Sequence, residues 1–218
     1  ALDTVYTAPE LATPTNDTKL DFGAAISGMP KTRKIYVKGT SLTSSLTVYL
    51  EQSSDYIQFS TSLKKITKDQ ANAGYYLTIT YTPKTTGTHT ASILIYDGGI
   101  DGSVKVNMSG LSIPADSLKI PVPSPASGIS STGFTANWNQ VNYAESYCIN
   151  LYSYKNGIRE NVSVFDSIPE SGFEIGGLDA GKDYSYSVRS RLGSFISNES
   201  VEMPVTLLSG IVNATDQH

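Results

Sequence analysis

Phe134-Thr135-Ala136-Asn137-Trp138, Ser146-Tyr147-Cys148-Ile149-Asn150-Leu151 and Tyr184-Ser185-Tyr186-Ser187-Val188 each place an apolar or aromatic residue at every second position. That period puts those residues on one face of a β-strand. Asn, Gly, Asp and Pro clusters separate the runs, which include the chain's single Trp. Together they predict the inner face of an antiparallel sandwich.

With 218 residues, the chain is too long for one such sandwich of about 100 residues and suits two. Hydrophobic residues make up 39%, enough for real cores, while charged residues reach only 17%, below the roughly 25% of average domains. Ser, Thr and Asn fill the gap, as exposed strand faces and turns require. A net charge of −4 and no Lys/Arg block argue against nucleic acid as a partner. No apolar run approaches the about 20 residues of a membrane-spanning helix. The chain begins at Ala1 without a charged-then-apolar leader, so a signal peptide is expected to have been removed or to lie outside it. A lone Cys148 allows no internal disulfide and leaves the compartment open. Abundant Tyr, Ser and Thr favour a secreted or surface setting.

Working outward to the N-terminus, residues 1–17, with Pro9 and Pro14 and little periodicity, are expected to form an extended lead-in. Strand-length runs follow at Leu20–Gly23, Ile35–Val37, Leu46–Leu50, Ile57–Phe59, Leu77–Tyr81, Ala91–Ile95 and Val104–Met108. Pro83 to Gly87 and Asp97-Gly98-Gly99 supply turns, and Gly110 a natural end. The one plausible helical turn spans Thr67 to Ala73.

Leu20-Asp21-Phe22-Gly23, Val37-Lys38-Gly39 and Leu77-Thr78-Ile79-Thr80-Tyr81-Thr82-Pro83, followed by Gly87 and Ile93-Leu94-Ile95, resemble the abnormal-spindle/hydin group of immunoglobulin-like domains over residues 18–110. The resemblance implies a binding or spacer module, without catalytic residues to carry over. Pro114, Pro121, Pro123 and Pro125 come next. They remove hydrogen-bond donors and restrict the backbone, so a semi-rigid linker is expected over 113–121, after a first domain at 18–112.

Residues 122–208 resemble a fibronectin type III domain. The likeness rests on Trp138 in the second strand, Tyr147, Ile149 and Leu151 in the third, and Leu178 followed six positions later by Tyr184, with Tyr186 and Val188 beyond. The resemblance implies a tyrosine corner, in which the phenol bonds back to the loop backbone, and a spacer, adhesion or binding role. Residues 209–218 are expected to be a tail. The fold class is therefore all-β: two tandem β-sandwich domains, immunoglobulin-like followed by fibronectin type III-like.

Chemistry is sparse. Two histidines, His89 and His218, and one Cys fall short of the three or four ligands of a zinc site. His89, beside a turn, is expected at a strand end facing water. Gly128-Ile129-Ser130-Ser131-Thr132-Gly133 is one residue too long for a nucleophile elbow, and Asp97 to Gly102 reads as a hairpin turn, with calcium the alternative. No metal, no cofactor and no enzymatic activity are expected. Five N-x-S/T triplets, at Asn16, Asn107, Asn161, Asn198 and Asn213, matter only in a host that glycosylates them.

Aromatic residues on the outward phase are the better lead. If Tyr147, Ile149 and Leu151 point inward, Cys148, Asn150 and Tyr152 point outward, and Arg189 and Arg191 do so on the neighbouring strand. Tyr152, Arg189 and Arg191, with Tyr154 at the edge, would form a flat face able to stack on a sugar or anchor a protein. The alternative is a ladder in which Arg caps Tyr and stabilises the sheet. Tyr36, Tyr49 and Tyr76 share the outward phase in the first domain. The expected molecule is a non-catalytic extracellular or cell-surface protein, a cell-adhesion or protein-binding module. A carbohydrate-binding, accessory or spacer module of a larger secreted polysaccharide-processing protein is the alternative. The expected partner is a protein or a glycan.

Overall fold

Residues 7–209 are described in the computed structural model, and the chain divides between Ala115 and Asp116 into two units. Asn213 and His218 lie outside the described residues, as does most of the expected tail.

The first unit carries β1 (Glu10–Thr13), β2 (Lys19–Ile26), β3 (Lys31–Thr40), β4 (Leu46–Leu50), β5 (Phe59–Thr61), β6 (Lys65–Ile66), β7 (Tyr75–Tyr81), β8 (Gly87–Asp97) and β9 (Ser103–Ile113). One sheet runs β1-β3-β7-β5 and the other β2-β9-β8-β4-β6. Alternation along the strands buries Leu77, Ile79 and Tyr81 of one sheet in the same cluster as Ile93, Ile95 and Val106 of the other, as a sandwich requires. β1 pairs antiparallel with β3, whereas β2 runs parallel to β9. The chain therefore changes sheet between its first two strands, and the unit is an immunoglobulin-like sandwich.

The helical turn read in the sequence is α1 (Lys68–Ala73). Thr67 Oγ1 accepts from Gln70 N at 3.2 Å, and Gln70 Oε1 accepts from Thr67 N at 3.0 Å. This reciprocal capping box satisfies two otherwise open donors and lets so short a helix persist. Gly74 ends it at φ +96°, and a side chain there would collide with the Tyr36 phenol.

Several features depart from the sequence pattern. The lead-in contains β1, whose Leu11 is buried in the core. Ile57 belongs to a 3-10 turn over Tyr56–Gln58 and is exposed, while Gln58 is buried. Gln58 turns inward because its carbonyl accepts from Thr82 N at 2.7 Å and its side chain accepts from Lys84 N. Gly110 ends nothing, since β9 continues to Ile113. A Cβ at Gly110 would stand 2.6 Å from the Tyr81 ring, so this glycine admits the ring. His89, opposite Gly110 on β8, is buried rather than facing water. Its Nδ1 is hydrogen-bonded to the Tyr81 hydroxyl at 2.7 Å and its Nε2 to Thr85 Oγ1 at 3.0 Å, which satisfies both ring nitrogens inside the core.

The second unit carries β10 (Pro123–Ser127), β11 (Gly133–Trp138), β12 (Ser146–Lys155), β13 (Ile158–Ile168), β14 (Gly172–Gly176), β15 (Asp183–Leu192), β16 (Phe195–Ile196) and β17 (Met203–Thr206). Three strands, β10-β11-β14, face a sheet ordered β13-β12-β15, with β16 and β17 both paired to β15. This is a fibronectin type III-like sandwich. The prolines of β10 fall on an edge strand, where a missing donor is tolerated. Trp138 packs edge-on against Tyr147 at 5.3 Å, and Tyr147 Oη accepts from Val141 N at 2.9 Å. Tyr184 Oη accepts from Asp179 N at 3.1 Å, forming the tyrosine corner that the Leu178 spacing implies.

Candidate ligand-binding site

β12 and β15 are neighbours, in the register Ser146↔Arg191, Cys148↔Arg189, Asn150↔Ser187 and Tyr152↔Ser185. Arg189 therefore lies opposite a residue four positions from Tyr152, roughly 13 Å away along the strand at about 3.3 Å per residue, and Arg191 lies farther still. Tyr152 and Arg189 nevertheless meet on one carboxylate, Glu199, while Arg191 is held apart by Asp166, so the expected open face is bridged by acids. Tyr152 is only 6% exposed, because another arginine covers it: the Arg159 guanidinium sits 4.4 Å above its ring.

Two glutamates complete the cover. Glu199 Oε1 accepts from Tyr152 Oη at 2.5 Å and from Ser187 Oγ, and Glu199 Oε2 accepts from Arg189 Nη2 at 3.3 Å. Glu202 accepts from Tyr154 Oη and Arg159 Nη1, both at 2.6 Å, and from Ser185 Oγ. Arg191 Nη2 donates to both carboxylate oxygens of Asp166 at 2.8 Å. All four expected site residues are thus engaged within the chain.

The backbone explains how the glutamates arrive. Between β16 and β17 the strand pairing with β15 is interrupted, and serines bridge the gap. Val188 N donates to Ser200 Oγ at 2.9 Å, and Ser190 N to Ser197 Oγ at 3.0 Å. The interruption frees Glu199 to reach over β15 to Tyr152. Burial pushes the Glu199 carboxyl up, but hydrogen bonds from Ser187, Tyr152 and Asn150 and the Arg189 charge outweigh it and bring it down to about 2. Burial likewise opposes ionisation of Glu202, and Ser185, Tyr154 and Arg159 prevail, lowering its pKa. Burial raises the Tyr152 phenol, as does its bond to Glu199. Such a network stabilises a sheet and presents few open groups to a ligand.

The sequence reading missed Arg159, although the signal was present. Asn156-Gly157, both at positive φ, form a two-residue hairpin turn that pairs Lys155 with Ile158 and Tyr154 with Arg159, the register such a turn dictates.

The first unit offers the contrasting case. Tyr36 and Tyr76 face each other across β3 and β7 with ring centroids 4.9 Å apart, 39% and 61% exposed. Tyr49 belongs to the other sheet. It borders a cleft of about 340 Å³ where β4 and β5 come together at the side of the sandwich. The strands beside it are short, three residues in β5 and two in β6. Val48, Leu50 and Phe59 give it an apolar lining, and Tyr49 and Tyr56 border it. Gln52, Ser60, Thr61 and Lys64 add polar groups. None of the side-chain polar atoms of Tyr49, Gln52, Tyr56, Ser60, Thr61 or Lys64 bonds to another of the described residues. An apolar lining with a few polar groups around it is the usual form of a small-ligand site.

No family model matches the chain, and no curated protein matches it. Among solved structures it is similar to the chicken CNTN1 FN1-FN3 domains at 12% identity and TM-score 0.48, covering 93% of this chain and 67% of that one. It is also similar to crystallised domains from titin at 10% identity and TM-score 0.46, covering 85% of this chain. The chain spans 61% of that titin fragment. The FN5 domain of Drosophila Lar matches 43% of this chain over 99% of its own length, at 20% identity and TM-score 0.37.

Proposed function

We propose that the chain is a non-catalytic, adhesion-type recognition module of a secreted or cell-surface protein, and that it binds its ligand through the first unit. One contrast carries this reading. The outer face of the second unit has its tyrosines and arginines paired with its own carboxylates, whereas the cleft beside Tyr49 and Tyr56 holds polar side chains with no partner among the described residues. A ligand entering the cleft displaces water but no internal partner, so its net affinity is not reduced by breaking bonds within the chain. The paired face suits the capping alternative, in which Arg stabilises an aromatic ladder.

The test is binding of the 218-residue chain to immobilised extracellular-matrix proteins and glycans, compared with Gln52→Ala/Lys64→Ala and with Tyr154→Phe/Arg191→Ala. The expected outcome is loss of binding in the first variant and retention in the second. Loss confined to Tyr154→Phe/Arg191→Ala returns the ligand to the second unit, and turnover of ester, peptide or glycoside substrates overturns the non-catalytic reading.

A further inference from the structure

The chemistry of the cleft narrows the ligand class. Its lining mixes apolar side chains with two phenols, one carboxamide, two aliphatic hydroxyls and one ammonium group. That mixture matches a pyranose ring, which presents a flat C–H face to an aromatic side chain and hydroxyls around its edge to donors and acceptors. Tyrosine suits such contacts because it offers a rigid, amphipathic surface with few rotatable bonds. The volume, about 340 Å³, lies at the small end of the roughly 300–1,000 Å³ of ligand pockets and admits one ring of a chain rather than several.

Charge refines the assignment. Lys64 is the single charged residue lining the cleft, and it has no ion-pair partner among the described residues. Neither acid of the adjoining loop is ion-paired with it. Glu51 is held by Lys105 at 2.7 Å and by Ser92, and Asp55 accepts from Thr90 N at 3.1 Å. An unopposed ammonium beside neutral donors favours a carboxylate on the ligand. We infer that the cleft binds one uronic-acid unit of an acidic glycan, with Tyr56 against the ring and Lys64 on the carboxylate. This rests on the recognition reading above and names the ligand of the same site.

The experiment is a titration of the full chain with a hyaluronan tetrasaccharide and a tetragalacturonate, with cellotetraose as the neutral control. Affinity is read by calorimetry and position by amide chemical-shift changes. The expected result is binding of at least one uronate probe about tenfold tighter than cellotetraose, with shifts centred on Ser60, Thr61 and Lys64. Lys64→Gln, on an exposed side chain, should erase that preference, and Tyr56→Ala should weaken both probe classes about tenfold or more. Tyr56→Phe keeps the ring and separates lost stacking from a misfolded loop. Equal affinity for uronate and neutral probes, shifts elsewhere, or no uronate binding at millimolar concentration overturns the inference. If uronates fail while a matrix protein still binds in a manner sensitive to Gln52→Ala/Lys64→Ala, the ligand class falls and the recognition function stands. If nothing binds, both fall.

Discussion

Glu199→Gln measures most directly what the ionised network contributes to the second unit. In the folded chain burial pushes this carboxyl up, yet three hydrogen bonds and the Arg189 charge hold it at about 2, against an ordinary value of 4.5. That difference corresponds to about 3 kcal/mol of stability carried by the ionised form, at about 1.4 kcal/mol per pKa unit. Partial solvent screening of the Arg189 pair reduces this to about 2 kcal/mol. The folded-state value lies below the unfolded one, so the stabilisation is fully present well above pH 4.5 and disappears as pH falls towards 2. A glutamine cannot titrate, and it leaves Arg189 without its counter-charge. The variant should therefore be about 2 kcal/mol less stable than the parent at pH 7, with less than about half of that gap remaining at pH 3.

Trp138 makes the assay specific, because the chain's single Trp is buried in the second unit. Urea titrations followed by its fluorescence at pH 7, 5 and 3 give the gap from the midpoints and slopes. The comparison must be between the two proteins, since Glu202 is also depressed and weakens both as pH falls. A gap below about 0.5 kcal/mol at pH 7, the ordinary range of surface substitutions, would refute the network's contribution. A gap of equal size at pH 7 and pH 3 would show that shape rather than charge carries it.

Tyr184→Phe removes only the hydroxyl that accepts from Asp179 N, and should cost about 1–1.5 kcal/mol in the same fluorescence titration. An unchanged midpoint would remove the tyrosine corner from the stabilising contacts. Gly110→Ala sets a methyl group 2.6 Å from the Tyr81 ring and should destabilise the first unit by about 1–3 kcal/mol. Calorimetry should show one transition moved down while the Trp138-reported transition stays, and a shift of the latter instead would contradict the placement of this contact.

Alternation made the inner faces legible, because the buried residues of β7 and β8 follow the two-residue period of their strands, as do Tyr147, Ile149 and Leu151 on β12 and Tyr184, Tyr186 and Val188 on β15, although Cys148, Tyr152, Ser185 and Ser187 are buried off that period. The tyrosine corner was legible too, since its geometry lies within a six-residue span, and the α1 capping box is written in Thr67 and Gln70. What escaped depends on relations that no local period records. β1 is short and borrows its partner from β3. His89 reads as a turn-side polar residue until Gly110, Tyr81 and Thr85 surround it. Glu199 reaches Tyr152 only because the chain leaves β15 between β16 and β17, which depends on serines substituting for carbonyls. The expected exposed face failed for that reason: the outward phase of Tyr152 says nothing about which side chains later lie across it.

The same distinction bears on where the proposed recognition would reside. Both units present tyrosines beside cationic side chains on their outer surfaces, so residue type does not separate them. Acid placement does. In the second unit Asp166, Glu199 and Glu202 lie within bonding distance of every arginine on the sheet face. In the first, Glu51 is drawn to Lys105 and Ser92, and Asp55 to the Thr90 amide, which leaves Lys64 unopposed beside Tyr56. An internal carboxylate competes with any external one at very high effective concentration. An acidic ligand would have to displace Glu199 or Asp166 to use Arg189 or Arg191, whereas at Lys64 it meets no such competitor.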